Sequence, residues 1–469
     1  MDTNKYFVFL VGSQLLYGEK VLATVHKQST EIVDFLNSLA KLPFPIILKS
    51  TVTNSEDAIT RVKEINADNK IIGVITWMHT FSPSKNWIRA LQLLQKPLLH
   101  FSTQYLDHIP YDSIDFNYMN INQSAHGDKE FGFITSRLNL KNKVICGYWK
   151  DSQTITQIRS WMNVANTYVE SFNTRVASFG SIMKNVSVTD GDKIEAQIKF
   201  GWVVDYISLS ELEKYVNAVT EQQVFETYVS LKQKYILTID NNPFKKESVL
   251  YQLRLYLAIK LFLIENNYTA FTTNFEDLGS LKQLPGLAVQ LLEQDGYGFG
   301  AEGDWKNAAL SRLFKILSNN QKTAFMEDYT LDYRKKGGII LGSHMLEVDP
   351  SLATTKPLIE VHNLNIGNRS APARLVFSGS KGNGICISLI DLGTHFRFLT
   401  YDIECFNTLP STPKLPVATQ YWRPKKGLLT GNQKWIEQGG SHHTILSLKI
   451  NSDQIQTLCN LFDVEYIQL

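Results

Sequence analysis

The sequence predicts two consecutive α/β domains, each on a parallel sheet, followed by a domain of short antiparallel strands that closes into a barrel-like form. Three observations predict it. Strand-like apolar runs alternate with helical periodicity through the first two thirds of the chain; after about residue 325 short strands dominate; and glycine-rich segments stand between those strands where turns are needed.

In the first third, Phe7 to Val11 reads as the opening strand, followed by a helix from about Val25 to Leu39 and a strand at Ile46 to Leu48. A helix near Asp57 to Asn66 and strands at Ile71 to Trp77, Pro97 to Phe101 and Val144 to Gly147 continue the alternation, and a helix follows from about Ser152 onward. This order is Rossmann-like and implies a parallel sheet. A boundary falls near 170, giving an N-terminal domain over 1–170.

The middle third, 171–325, is a second Rossmann-like domain. Leu250, Leu253, Leu257, Leu261 and Ile264 follow the spacing of a buried helical stripe. A second helix runs from Leu287 to Glu293, with Pro285 ahead of it and Asp295-Gly296 ending it. A third carries Leu310, Leu313, Phe314 and Leu317 behind Asp304, a plausible N-cap. In the last part, 326–469, strands are expected at Gly338 to Leu341, Leu358 to Val361, Arg374 to Phe377, Ile385 to Ile390 and Phe396 to Leu399, with little helical periodicity. The run Gly379-Ser380-Lys381-Gly382-Asn383-Gly384 is expected to be a hairpin loop in an antiparallel barrel.

Composition narrows the function classes. At 469 residues and 43% hydrophobic content the chain buries a substantial core, and roughly 150 residues per domain suggests three domains. Lys+Arg 47 against Asp+Glu 45 leaves a net charge of +2 without long runs of one sign, which argues against nucleic acid and anionic membranes as partners. No secretion signal is read at the N-terminus, and no apolar stretch reaches the roughly 18–20 residues of a membrane span. Cys146, Cys386, Cys405 and Cys459 form no CxxC pair, so reduced thiols used in packing and a cytoplasmic setting are expected.

Gly298-Phe299-Gly300-Ala301-Glu302-Gly303 matches the GxGxxG pattern of dinucleotide enzymes. The context fails: the fingerprint needs a preceding strand and an acidic residue about 20 positions on, whereas a helix is read before it and the next strong carboxylates are Glu327 and Asp328. Glu302, between Gly300 and Gly303, is free to point into a cleft. Glu327 begins the last domain, His344 follows a strand, and Gly439-Gly440-Ser441-His442-His443-Thr444 opens another. Two glutamates and two histidines at element ends form a hard donor set suited to Mn²⁺, Mg²⁺ or Fe²⁺ rather than structural zinc.

At these residues the chain resembles the L-arabinose isomerases, and the likeness runs from end to end. It is carried by Val11-Gly12-Ser13-Gln14 with Leu16-Tyr17-Gly18, WMHTFSPSK (77–85), NQSAHG (122–127), VTDGDKIEAQIKFG (188–201), TTNFEDL (272–278) and LKQLPGLAVQ (281–290). AEGDWK (301–306), FMEDYT (325–330), LGSHMLEV (341–348), LPVA (415–418) and GGSHHT (439–444) complete it. The resemblance implies a Mn²⁺ ion, replaceable by Co²⁺, on Glu302, Glu327, His344 and His443. It implies a sugar pocket lined or supported by Gln14, Leu16, Tyr17, Phe81, Gln123, His126, Met183, Phe275, Ile366 and His442. For Leu16, Phe275 and Ile366 ordinary core packing is the competing reading.

The implied reaction is L-arabinose to L-ribulose, with D-galactose to D-tagatose on the side, in a homo-oligomer, a hexamer in the family pattern, whose neighbouring subunits share each active site. Glu302 and Glu327 would carry protons through a cis-enediol, with a hydride shift as the rival route. The competing classes are a related isomerase of shifted specificity and a non-catalytic sugar-binding protein. The chain departs from the family at Leu15, at Ser102, Tyr105 and Leu106, and at Ser178, Ser181 and Lys184, where histidine, an HTQFN stretch and several charges are usual. These positions bear on substrate preference and interfaces, not on the four ligands.

Overall fold

The computed structural model describes residues 4–237, 239, 242–334, 337–364, 369–407 and 412–469. It divides into two compact units, Met1–Val169 and Glu170–Leu469.

The first unit is built on five parallel strands, β1 (Tyr6–Gly12), β2 (Ile46–Leu48), β3 (Ile71–Met78), β4 (Leu98–Ser102) and β5 (Lys143–Cys146), in the order β2-β1-β3-β4-β5. Alternation along β1 places its side chains in two cores. Phe7, Phe9 and Val11 pack with Val25, Ile32, Leu36, Ile158 and Trp161 on one face, and Val8 and Leu10 pack with Ala58, Val62, Ile65, Trp87 and Phe131 on the other. Every residue of β3 is buried, as expected of a central strand covered on both sides. The helix expected from Val25 begins earlier, at Gly18, and runs to Ser38.

The second unit opens with strands β6 (Arg175–Phe179) and β7 (Val203–Ile207), a two-residue strand β8 (Ile236–Leu237), and then β9 (Ala270–Thr273) and β10 (Gly298–Gly300). Four of these form a parallel sheet in the order β10-β9-β6-β7. β10 is itself the first half of the GFGAEG run, so its glycines are strand residues rather than a phosphate turn. A Cβ on Gly298 would lie 2.3 Å from the Ala308 carbonyl oxygen, and one on Gly300 would lie 2.3 Å from that of Asp304. They let the helix Trp305–Leu317 lie directly on the sheet.

The long helix is present as Pro243–Glu265, but its predicted stripe is not the buried one. Of the five residues only Leu253 is buried; Leu250 and Leu257 are half-buried, and Leu261 and Ile264 are exposed. The packed face carries Val249, Gln252, Leu253, Leu255, Ala258, Ile259, Phe262 and Leu263. Apolar residues lie on several sides of this helix, with Arg254 and Lys260 among them, so spacing alone could not select the face.

The remaining strands are β11 (Thr323–Asp332), β12 (Ile339–Ser343), β13 (Leu358–Val361), β14 (Ala373–Val376), β15 (Gly382–Asp391), β16 (Phe396–Phe406), β17 (Gln420–Pro424), β18 (His443–Ser447) and β19 (Glu465–Gln468). Six of them close a barrel, in the order β15-β18-β11-β12-β17-β16 with β16 pairing back to β15, and β19 adds in parallel to β16. Closure removes the free edges of the ring. The predicted glycine-rich hairpin is not one: β14 pairs with β13, in a separate small sheet with β8, and residues 379–384 pass from that sheet into the barrel. The hairpin lies instead between β15 and β16, closed by Asp391 opposite Phe396. Helical structure also persists here, at Leu428–Glu437 and Ser452–Phe462.

Cys386, Cys405 and Cys459 are buried as packing residues, all four thiols are unpaired, and Cys146 is exposed, against expectation. No described helix is long and apolar enough to cross a membrane.

One glycine holds the barrel wall below the site. A Cβ on Gly342 would come within 1.6 Å of Cζ3 of Trp422, whose ring covers the bare backbone of β12. Gly342→Ala is expected to destabilise the protein by about 1–3 kcal/mol through overpacking. A denaturant midpoint equal to the wild type's would show that the ring moves aside without cost.

Candidate metal centre

Two structural devices bring the site together. The first is the carboxyl end of the central parallel sheet: Glu302 follows β10 and precedes the helix Trp305–Leu317, the end at which open parallel sheets place their sites. Its backbone is left-handed, with φ of 63°, and Gly303 continues at 78°. Such a conformation costs a non-glycine residue free energy and is retained where surroundings over-determine it. Here the Gly303 N–H donates to the Thr273 carbonyl (3.0 Å), and the Glu302 carbonyl accepts from the Met183 N–H (3.4 Å).

The second device is barrel register. β11 lies between β12 and β18, and Glu327 on β11 is paired with Ser343 on one side and His443 on the other. His344 is the residue immediately after β12. Three separate chain segments therefore deliver their donors to one end of the barrel.

Ligand atoms of Glu302, His344 and His443 lie within 4.8 Å of one another. The Glu302 Oε2 atom is 3.8 Å from His443 Nε2 and 3.7 Å from His442 Nε2. Glu327 is not in this cluster of mutual ligand atoms; the structure places it across the strand pair from His443, and its charge acts on both His344 and His442.

Each buried imidazole has one nitrogen committed to a carboxylate. His443 Nδ1 donates to Asp304 Oδ2 (3.0 Å), and His344 Nδ1 donates to Glu347 Oε2 (2.7 Å). The proton on Nδ1 leaves Nε2 as an acceptor. His443 Nε2 is completely buried and has no hydrogen-bond partner, an arrangement that costs free energy unless something binds there. A nitrogen–nitrogen–oxygen donor set with carboxylate-oriented histidines fits a divalent metal ion.

Neither orienting carboxylate was singled out for that role from sequence. Asp304 is the helix cap that the sequence predicts: Oδ1 accepts from the Asn307 N–H (3.0 Å) while Oδ2 serves His443. Glu347, in the LGSHMLEV block, also accepts from the Leu346 N–H (2.9 Å). Its only sequence signal was a carboxylate three positions after a candidate ligand.

The electrostatics follow these contacts. The nearby His442 imidazole, with Nε2 3.7 Å from Oε2, holds the Glu302 carboxyl below its usual range against an opposing burial effect, and Glu302 in turn raises the His442 imidazole. Burial lowers the His443 imidazole. Burial alone would also lower His344, but Glu347 together with Glu327 and Glu302 outweighs it and the net shift is upward. Burial would raise Asp304; the His443 hydrogen bond and the Lys306 ammonium bring it down instead. Beside Glu327, burial pushes the Asp328 carboxyl up to about 7.

The remaining candidates fall in both units. In the second, Met183 is buried, Phe275 is half-buried, and the His442 ring is 4.1 Å from that of His443. Ile366 lies outside the described residues. In the first unit, the Tyr17 hydroxyl donates to Gln123 (3.2 Å), and Phe81 and His126 face one another at 4.5 Å. Gln14 immediately precedes the short helical turn that carries Leu16, which is 83% exposed, so core packing is excluded for Leu16 within this chain. Among the departures, Leu15 is also exposed; Ser178 bonds to the Gly180 carbonyl, and the Ser181 and Lys184 backbone N–H groups donate to Asp277 and Glu276.

Comparison with known proteins covers the same ground. The L-arabinose isomerase N-terminal, central and C-terminal domain models match residues 2–173, 175–320 and 322–465. The L-arabinose isomerase of Leuconostoc mesenteroides is 53% identical over 100% of this chain and 99% of its own length. That of Pediococcus pentosaceus is 52% identical over 99% and 98%, and L-arabinose isomerase 2 of Clostridium acetobutylicum is 48% identical over 98% and 95%. With three domain models following one another along it and relatives matched over nearly their full lengths, the chain belongs to the L-arabinose isomerase family.

Proposed function

We propose that this enzyme converts L-arabinose to L-ribulose, with D-galactose to D-tagatose as a slower side reaction, using Mn²⁺ held by Glu302, Glu327, His344 and His443, with Co²⁺ able to replace it. The substrate rests on the names of the relatives. The metal rests on the buried, partnerless Nε2 of His443 facing Glu302, with Nδ1 already committed to Asp304.

When bound, the ion polarises the sugar carbonyl and stabilises negative charge on its oxygen. Glu302, held ionised by His442, is equipped to take a proton from C2 of the open-chain aldose. Glu327, opposite His443 across the strand pair, is the second carboxyl for proton delivery. Removing the C2 proton and protonating the C1 oxygen gives the cis-enediol; proton loss from the C2 oxygen and protonation of C1 give the ketose. No oxidant or reductant is consumed. Gln14, Leu16, Tyr17, Phe81, Gln123, His126, Met183, Phe275, Ile366 and His442 are proposed to line or support the sugar pocket.

The working assembly is proposed to be a homohexamer in the cytoplasm, with Gln14, Leu16, Tyr17, Phe81, Gln123 and His126 supplied to each site by a neighbouring copy. Exposed apolar groups support a covered surface: Leu16 at 83%, Tyr111 at 81% and Phe116 at 85%. Unpaired thiols support a reducing compartment. A division at 170 and 325 is proposed for the three domains, although β11 already begins at Thr323.

Metal-stripped protein given L-arabinose is expected to be inactive, and Mn²⁺ without nicotinamide is expected to restore ketose formation. Full activity after stripping sinks the reading. In deuterated water the enediol route places deuterium at C1 of the product, whereas a hydride shift excludes it. L-Arabinose is expected to have the highest kcat/KM among L-arabinose, D-galactose and L-fucose; a preference for L-fucose overturns the substrate assignment.

A further inference from the structure

His344 stands on a turn rather than in a strand. Residues 344–349 belong to no strand or helix, so the sheet ladder that fixes Glu327 and His443 does not fix them. Their anchors are buried side chains from two helices of the central domain. Gln290, on the helix Leu287–Gln294, donates from Nε2 to the Val348 carbonyl (3.0 Å) and also pairs with both backbone groups of Leu375.

Lys315, on the helix Trp305–Leu317, is only 1% exposed. Its ammonium donates to Asp349 Oδ2 and to the Glu293 carbonyl (3.0 Å), with Glu293 Oε1 at 3.8 Å. Asp349 is fully buried, and its other oxygen accepts from the Ser351 N–H (2.7 Å). Complete burial pushes the Glu293 carboxyl well above its usual range, against the attraction of Lys315, and Asp349 is the carboxyl group that the Lys315 side chain contacts directly. A buried ion pair is weak evidence of net stabilisation, because desolvation offsets the attraction. What it supplies well is position, since breaking one side leaves a charge that must move or find water.

We infer that Lys315, acting through Asp349, is a positioning residue for His344: it pins the turn so that the imidazole stays beside Glu302 and His443. The inference rests on the proposed metal site. The same helix carries Lys315 near its C-terminus and is capped at its N-terminus by Asp304, the partner of His443. One rigid helix thereby sets both histidines.

The test is Mn²⁺ titration of the metal-free full chain by calorimetry, with thermal unfolding measured alongside. Lys315→Met is expected to raise the Mn²⁺ Kd about tenfold, the lower range for losing an outer support of a ligand. Asp349→Asn, which keeps the shape and the Ser351 contact, is expected to raise it in the same direction by a smaller factor. Leu253→Ala, a buried change outside this turn, supplies a control that loses thermal stability while keeping its Kd within about twofold. In the Co²⁺-loaded proteins the visible absorption bands should change shape for Lys315→Met and not for Leu253→Ala. An unchanged Kd in folded Lys315→Met overturns the proposal. So does unfolding of both Lys315→Met and Asp349→Asn, which would assign the pair to stability. A wild-type chain that takes up no Mn²⁺ overturns the metal reading itself.

Discussion

Replacing Glu302 by glutamine is expected to lower kcat by about 10²–10⁴-fold, the range for losing a positioned acid–base group. The substitution keeps side-chain size and leaves the backbone features of the loop in place: the φ of 63°, the Gly303 N–H on Thr273 and the Met183 N–H on the Glu302 carbonyl. What disappears is an ionised oxygen held between His442 and His443. An amide can neither take the C2 proton nor offset the charge of an ion. Because Glu302 is also a proposed ligand, kcat is measured at saturating Mn²⁺ and the Mn²⁺ Kd is measured separately. A kcat within threefold of wild type at full metal occupancy would remove Glu302 from the chemistry.

Mixing two inactive variants is expected to regenerate activity. Glu327→Ala damages the barrel part of the site, and His126→Ala damages the part proposed to come from a neighbour. Each homogeneous assembly should then be nearly inactive. In a randomly mixed closed ring, roughly one quarter of the sites receive an intact metal part from one chain and an intact neighbour from the other. Co-expression with two different tags allows the mixed assemblies to be isolated before assay. If they form and their activity stays at the level of the single variants, each site is built within one chain.

How much was legible in the sequence differs between the local frame and the contacts laid on it. The strand Ile46–Leu48, the start of the helix at Ser152 and the N-cap at Asp304 could be read directly, because alternation, helix-start residues and capping act within a few positions. The family was legible because its blocks are long and in order. Glu302, Glu327, His344 and His443 were legible as hard donors at element ends, but their union in one candidate site came through those blocks, since they are far apart in the chain.

Long-range pairing decided the rest. Which face of Pro243–Glu265 is buried depends on the elements packed against it, and a helix with apolar residues on several sides does not announce its choice. Barrel closure sent the glycine-rich run away from its expected hairpin, because β14 found β13 while β15 found β16 and β18. The His443–Asp304 hydrogen bond spans 139 positions, so no local pattern could assign that tautomer. The sequence by itself determined the secondary-structure frame, the family and the chemical types of the donors. Only the tertiary structure decided which nitrogen of each histidine is free, which carboxylates orient them and which buried charges hold their turns, because those properties arise from contacts between residues that chain distance does not relate.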